Sequence, residues 1–411
     1  MVLRIKNIGR FHNETCIDIN GITILAGMNG TGKSTIGKAL YCVFNSLYDC
    51  EKKIDDERRT SIYRMIGLLQ KNLGDARLRR KMNNELTDFI YINPSKNDII
   101  VELEKVTGIS SEDIDNDIVE RIKHILTVSD EDIINAILKK RIEAEFDMQV
   151  GHINYPGEKS EIDISIKGKS ISIQIDDDNV SIKNKIELLK DIAYIDDPYV
   201  IDDMQHLFLS GRDYTHRTDI MRKLSNRDDE RLSVIDDIIV NERLRELYHK
   251  IDDICGGEIE LLNEDEYEYN DKRLKKRLSV KNLSTGMKSF AVIKDLLLRG
   301  YLEENGIVIL DEPEAHLHPE WMLLYAEIIV LLQKILKINF VISTHSSEFL
   351  SYIELYTREY DLNDKCKYYL LKEDQKDSTT TNIFDCTDDV AKIYDVLTRS
   401  YIWASKELDL L

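Results

Sequence analysis

Three patterns of apolar spacing divide the chain. Leu3, Ile5 and Ile8 open an edge strand that Cys16, Ile17 and Ile19 continue. Residues 22–25 are a short, mainly apolar run of the kind buried in a sheet. The spacing then changes. Ile36, Ala39, Leu40, Val43, Phe44 and Leu47 fall on one face of a helix. Residues 50–150 keep a helical period and carry many charges, with one stripe at Ile114, Ile118, Ile122 and Ile125 and another at Ile133, Ile134, Ile137 and Leu138. Residues 161–182 switch to period two, with Ile162, Ile164 and Ile166, a Gly168-Lys169 turn, then Ile171, Ile173 and Ile175, which is a β-hairpin signature. Residues 202–250 return to helix, and residues 259–280 read as a strand pair. From Gly306 the order is strand (307–310), helix (321–336) and strand (340–343). Buried strands next to amphipathic helices at both ends of the chain predict an α/β fold. Its parallel-sheet core, with antiparallel strands added, takes residues 1–48 and 259–411 with part of 161–200. Residues 49–258 are expected as an insertion, mostly helical with the hairpin near 161–182. It is too interrupted for an extended coiled coil.

The loop between the first buried strand and its helix is Gly27-Met28-Asn29-Gly30-Thr31-Gly32-Lys33-Ser34-Thr35. This is G-x-x-x-x-G-K-[ST] in its confirming context, strand before and helix after. Glycines let backbone N–H groups wrap phosphates, and the helix N-terminus adds free donors and a favourable dipole. Gly27, Asn29, Gly30, Gly32, Lys33, Ser34 and Thr35 are therefore the expected phosphate cradle for ATP, with Lys33 reaching the β- and γ-phosphates and Ser34 on Mg²⁺. A second run, Ile307-Val308-Ile309-Leu310-Asp311-Glu312-Pro313, ends a buried strand in two acids. Ligands bind at that edge of a parallel sheet. Asp311 is the expected Mg²⁺ partner and Glu312 the group that orients or deprotonates the attacking water.

Two further motifs gain meaning from their spacing. Asn282-Leu283-Ser284-Thr285-Gly286-Met287-Lys288 precedes an amphipathic run, and taken alone Ser284 is an ordinary helix cap. It lies about 20 residues before the carboxylate strand. There it resembles the L-S-G-G-Q signature of ABC ATPases, with Thr285 and Lys288 as departures. Phe340-Val341-Ile342-Ser343-Thr344-His345-Ser346 places a histidine at a strand end about 30 residues after the acids.

The four motifs in this order resemble ABC-type P-loop ATPases of the SMC/RecF/OLD branch. The run Glu312-Pro313-Glu314-Ala315-His316-Leu317-His318-Pro319 is similar to proteins of that branch found in anti-phage systems, among them OLD-family and Septu ATPases. The resemblance implies a homodimer in which each ATP lies between one chain's P-loop and the other chain's Ser284 and Gly286, with a higher oligomer left open. It implies that His345 contacts the γ-phosphate, that His318 stands in the loop facing the opposite chain, and that Asn7, Arg10 and Phe11 form the early loop near the nucleotide. Neither Gln174 nor the turn after Tyr194-Ile195-Asp196-Asp197-Pro198 makes a good Q-loop. The stretch after His345 is too short for the metal-dependent nuclease module of OLD proteins, so effector chemistry is expected in a separate partner chain.

Composition narrows the rest. A net charge of −20 argues against a surface that binds nucleic acid everywhere. DNA or RNA stays an alternative partner through local basic runs at 77–81, 139–141 and 272–277. Six cysteines without C-x-x-C spacing read as thiols in a reducing compartment rather than zinc ligands. No apolar run approaches the ~20 residues of a membrane span, and no signal peptide opens the chain, so a cytoplasmic location is expected. The preferred expectation is an ATP-hydrolysing switch whose dimerisation controls an effector, ahead of a DNA-structure sensing or repair ATPase, or a low-turnover ATP-bound scaffold or antitoxin that restrains a toxic partner.

Overall fold

The computed structural model describes residues 1–69, 76–92, 95–107, 110, 114, 116–176, 179–184, 186–204, 214–225, 234–263 and 266–399. In chain order its elements begin with β1 (Val2–Lys6), β2 (Thr15–Asp18), β3 (Ile22–Gly27) and α1 (Lys33–Leu47). Helices α2 (Cys50–Leu69), α3 (Ala76–Ile92), α4 (Lys96–Thr107), α5 (Asn116–Thr127) and α6 (Asp130–Glu145) follow. Then come β4 (Ser160–Ile166), β5 (Lys169–Asp176), β6 (Asn179–Lys183), β7 (Ile192–Ile195), α7 (His216–Ser225), α8 (Val234–Ile254), β8 (Glu258–Asn263), β9 (Glu266–Asn270) and β10 (Leu278–Ser279). The chain continues with α9 (Thr285–Leu298), β11 (Ile307–Asp311), α10 (Pro319–Leu336), β12 (Asn339–Thr344), α11 (Ser347–Glu359), β13 (Cys366–Glu373), β14 (Thr381–Asp385) and α12 (Ala391–Leu397).

The chain divides into two compact units, residues 1–48 with 138–411 and residues 49–137. Of the expected insertion, then, only residues 49–137 stand apart, while 138–258 pack within the first unit. The reason is hydrogen bonding. The hairpin β4–β5 pairs with β1, so the 161–176 strands complete a five-stranded antiparallel sheet in the order β2-β1-β4-β5-β6. That pairing also corrects the first strand. β1 is interior, flanked by β2 and β4, and residues 15–18 are its antiparallel neighbour rather than its continuation. Residues 259–280 hold three strands, not two, in the order β10-β9-β8.

The central sheet runs β14-β13-β3-β12-β11-β7. All neighbours are parallel except the edge strand β14. β3 is buried along all six residues because sheet neighbours and helices cover both faces. Register brings the C-terminal ends level: Thr344 sits opposite Ala26, Asp311 opposite Ser343, and Leu310 opposite Ile195. The motif-bearing loops thus leave the sheet along one edge, which is where parallel sheets build sites.

Residues 49–137 have their own small core of Ile62, Ile66, Leu86, Ile90, Ile99, Leu103, Ile114, Val119 and Ile122. Ile118 and Ile125 from the expected stripe pack partly buried against it.

Candidate nucleotide site

The P-loop is shaped by its neighbours. Gly32 caps α1 in the left-handed conformation, φ 87°, and a Cβ there would come within 3.0 Å of the Phe11 ring. Only glycine meets both conditions at low cost. Gly9 packs in the same way on the Thr35 side chain, so the 7–11 loop lies against the P-loop as the early-loop resemblance implied. Asn7 and Arg10 serve as braces in that loop. Asn7 Nδ2 donates to the Glu158 carbonyl at 2.8 Å, and Arg10 pairs with Glu373 at 3.0 Å. Asn29, Gly30 and Ser34 are exposed at the mouth of the loop, at the N-terminal end of α1 where the helix dipole favours an anion, and the Thr35 N–H donates to the Gly32 carbonyl at 3.1 Å.

Lys33 is 5% exposed and folded back. Its ammonium donates to the carbonyls of Gly27 at 3.0 Å and Met28 at 3.2 Å and lies 3.4 Å from Glu312 Oε1. The same Glu312 oxygen is 3.1 Å from His345 Nδ1. Glu312 reaches this position from a left-handed backbone, φ 49°, which costs a non-glycine residue about 1–2 kcal/mol. Its N–H donates to the Ser343 carbonyl at 2.9 Å, which fixes the turn. His345 is 41% exposed and leaves β12 directly above this turn.

Asp311 ends β11. Its Oδ2 accepts from the Tyr194 hydroxyl at 3.2 Å. Its Oδ1 is buried with no hydrogen-bond partner among the described residues. Burial, reinforced by the Asp311 and Asp196 carboxylates, pushes the Tyr194 hydroxyl well above the usual phenol range, so it stays a donor. No group of three His, Cys, Asp or Glu side chains gathers among the described residues to hold a metal by protein ligands alone. One orphaned carboxylate oxygen at the C-terminal edge of the sheet, the edge from which the Ser34 loop also leaves, suits Mg²⁺, which keeps most of its shell for waters and phosphate.

The signature-like segment is placed by α9. Ser284 is its cap, with Oγ accepting from the Met287 N–H at 3.4 Å, and its side chain is exposed. Gly286 is pressed against the Trp321 ring, where a Cβ would lie 2.6 Å from Cε3. The two departures from L-S-G-G-Q turn toward this chain's own body. Thr285 Oγ1 hydrogen bonds the Tyr199 hydroxyl at 2.8 Å, and buried Lys288 donates to Asp202 Oδ2 at 2.6 Å beneath the Tyr199 ring. His318 caps α10, accepting from the Glu320 N–H at 3.4 Å. Gln174 is spent within the antiparallel sheet on Glu161 and Lys183.

Sequence reasoning missed a group behind Asp311. Tyr194 stacks on His216 with ring centroids 4.1 Å apart, and His216 lies between Glu145 and Asp196. Burial works against a charged His216, but the two carboxylates outweigh it and raise the imidazole to about 9. Glu314, also missed as a contact, is buried and accepts from the Thr344 hydroxyl, and desolvation raises its carboxyl. The only signal for Tyr194 and Asp196 was the turn that follows β7, since their partners come from distant segments.

Three SMC head structures align with the chain: the SmcHead bound to the C-winged helix domain of ScpA (12% identity, 95% of this chain and 98% of that one, TM-score 0.47), the SMC head domain from Thermotoga maritima (13%, 93% and 97%, 0.38) and the Smc head domain with an extended coiled coil bound to the C-terminal domain of ScpA derived from Pyrococcus furiosus (12%, 96% and 98%, 0.43). The profile of the family described as "AAA domain, putative AbiEii toxin, Type IV TA system" matches residues 22–351, a span that holds all four motifs. The chain belongs to that family.

Proposed function

We propose that the chain binds ATP with Mg²⁺, hydrolyses it, and uses ATP-dependent closure of two copies to control a separate effector protein. The observation that carries this reading is the meeting of Lys33, Glu312 and His345 at the mouth of the P-loop, with the free oxygen of Asp311 beside them. Mg²⁺ supplies neutralisation of the β- and γ-phosphate oxygens when bound. Asp311 Oδ1 and the Ser34 hydroxyl are the groups to hold it.

Lys33 exchanges the Gly27 and Met28 carbonyls for phosphate oxygens. Glu312, relieved of Lys33, turns Oε1 to the attacking water and accepts its proton. His345, exposed at the strand end, donates to the γ-phosphate. Exposed Ser284 and the N-terminus of α9 serve the second copy's nucleotide, a role carried over from the ABC resemblance. The family's description names a putative toxin and a Type IV TA system, which supports work alongside a second protein, while a place in anti-phage defence is carried over from the sequence resemblance.

The test uses the purified chain, wild type and Glu312→Gln, with and without ATP. Turnover in the variant should fall at least ~100-fold, the scale of a lost general base. The variant should run at twice the monomer mass only with ATP. Unchanged turnover removes Glu312 from the chemistry, and a mass indifferent to ATP removes the closure.

A further inference from the structure

The end of β7 carries a tyrosine that the scheme above leaves unused. Tyr194 is 1% exposed, and its ring fits beneath α1 because residue 37 is glycine. A Cβ at Gly37 would lie 3.3 Å from both Tyr194 Cζ and its hydroxyl oxygen, and 3.1 Å from Ile309 Cγ2 on β11. The hydroxyl is thereby wedged between the P-loop helix and the strand that bears Asp311, 3.2 Å from Asp311 Oδ2. The other face of the ring is stacked on His216 with planes 19° apart. His216 is itself gripped from two sides. Its Nδ1 lies 2.8 Å from Glu145 Oε2 at the end of α6, and its Nε2 pairs at 3.1 Å with Asp196 Oδ2, two residues beyond the tyrosine. The Glu145 carbonyl also accepts from Lys38 Nζ at 2.8 Å, one residue along α1 from Gly37. Thus α1, α6, β7 and α7 all bear on the position of one phenol oxygen.

A carboxylate with two free oxygens rotates and takes a cation through either or both. One whose second oxygen is pinned by a rigid donor offers a single oxygen in a fixed direction, the arrangement that small, geometrically strict Mg²⁺ requires. We propose that Tyr194 is a positioning residue for the metal ligand Asp311, occupying Oδ2 so that Oδ1 alone faces Mg²⁺, and that His216, braced by Glu145 and Asp196, holds the tyrosine in that register. This rests on the reading of Asp311 as the Mg²⁺ partner.

The experiment measures nucleotide affinity of the full chain against Mg²⁺ concentration, and Mn²⁺ binding by electron paramagnetic resonance, in wild type, Tyr194→Phe, Glu145→Gln and Asp311→Asn. Tyr194→Phe keeps the ring and its stack and removes only the donor. It should raise the metal concentration at half-saturation about 10-fold, within the range for lost outer-shell partners, while affinity for nucleotide in EDTA stays at the wild-type value. Glu145→Gln, which loosens the brace without touching Tyr194, should shift the metal dependence the same way by a smaller factor. Wild-type metal dependence in Tyr194→Phe overturns the positioning role while leaving the Mg²⁺ site standing. Wild-type metal dependence in Asp311→Asn overturns both, and so separates failure of the site from failure of its support.

Discussion

His216 sets burial and charge pairing against each other within one side chain. Desolvation alone would drive the imidazole toward its neutral form. Two carboxylates at 2.8 and 3.1 Å prevail, and the group is raised from 6.5 to about 9. A cation held more tightly in the folded state contributes stability that is fully present below its unfolded pKa and is lost as pH rises through the folded one. The window is therefore pH 6.5 to 9. The contribution is about 3 kcal/mol, from the size of the shift. Urea midpoints of the wild type should fall across that window, and those of His216→Gln should fall less. Equal slopes for the two proteins would mean that the carboxylates do not hold the imidazolium. Glu312 shows a related economy: a left-handed backbone, fixed by one hydrogen bond to Ser343, aims one oxygen at both Lys33 and His345.

Elements differ in how much of themselves they write into the local sequence. β3 with α1, and β11 with its acids, were legible because strand, turn chemistry and helix face each lie within a few residues. β13 was not, although Tyr368, Tyr369, Leu370 and Leu371 form an apolar run, because its meaning is its parallel pairing with β3 at the other end of the chain. The group behind Asp311 was hidden for the same reason, since Glu145, Tyr194 and His216 come from α6, β7 and α7. α9 shows a motif whose departures from consensus needed coordinates to interpret. Lys288, one of those departures, is buried against Asp202 and ties α9 to the turn after β7. Gly286 tests the same element. A methyl there meets the Trp321 ring of α10, and φ gives no reason for glycine, so the demand is one of space. Gly286→Ala should cost about 1–3 kcal/mol by overpacking, read from urea unfolding. Pairing it with Trp321→Leu should recover part of the loss. A neutral Gly286→Ala would mean that α9 and α10 separate easily at this contact.

At the scale of the whole molecule, the question is whether this acidic chain presents a surface to nucleic acid. The basic runs visible in the sequence are largely consumed internally. Of residues 139–141, Lys139 pairs with Glu143 and Arg141 is buried against Asn45 and the Tyr41 ring, while Lys140 stays exposed over the Tyr214 ring. Of residues 272–277, Arg273 is held by Asp271 and Arg277 by Glu260, which leaves Lys272, Lys275 and Lys276 as the exposed lysines of that run. For the run at 77–81 the side chains lie outside the described residues. Three lysines within a field set by a net charge of −20 can neutralise few phosphates. Counterion release at those three lysines contributes a slope of log Kobs against log salt for duplex DNA of about −3, from three contacts at roughly 0.9 each. Fluorescence anisotropy across a salt series should show that shallow slope and binding lost near physiological salt, and Lys272→Ala with Lys275→Ala and Lys276→Ala should abolish what binding there is. A steeper slope that survives the triple change would locate a basic surface elsewhere and would favour a nucleic acid over a protein effector as the partner of the ATP-bound state.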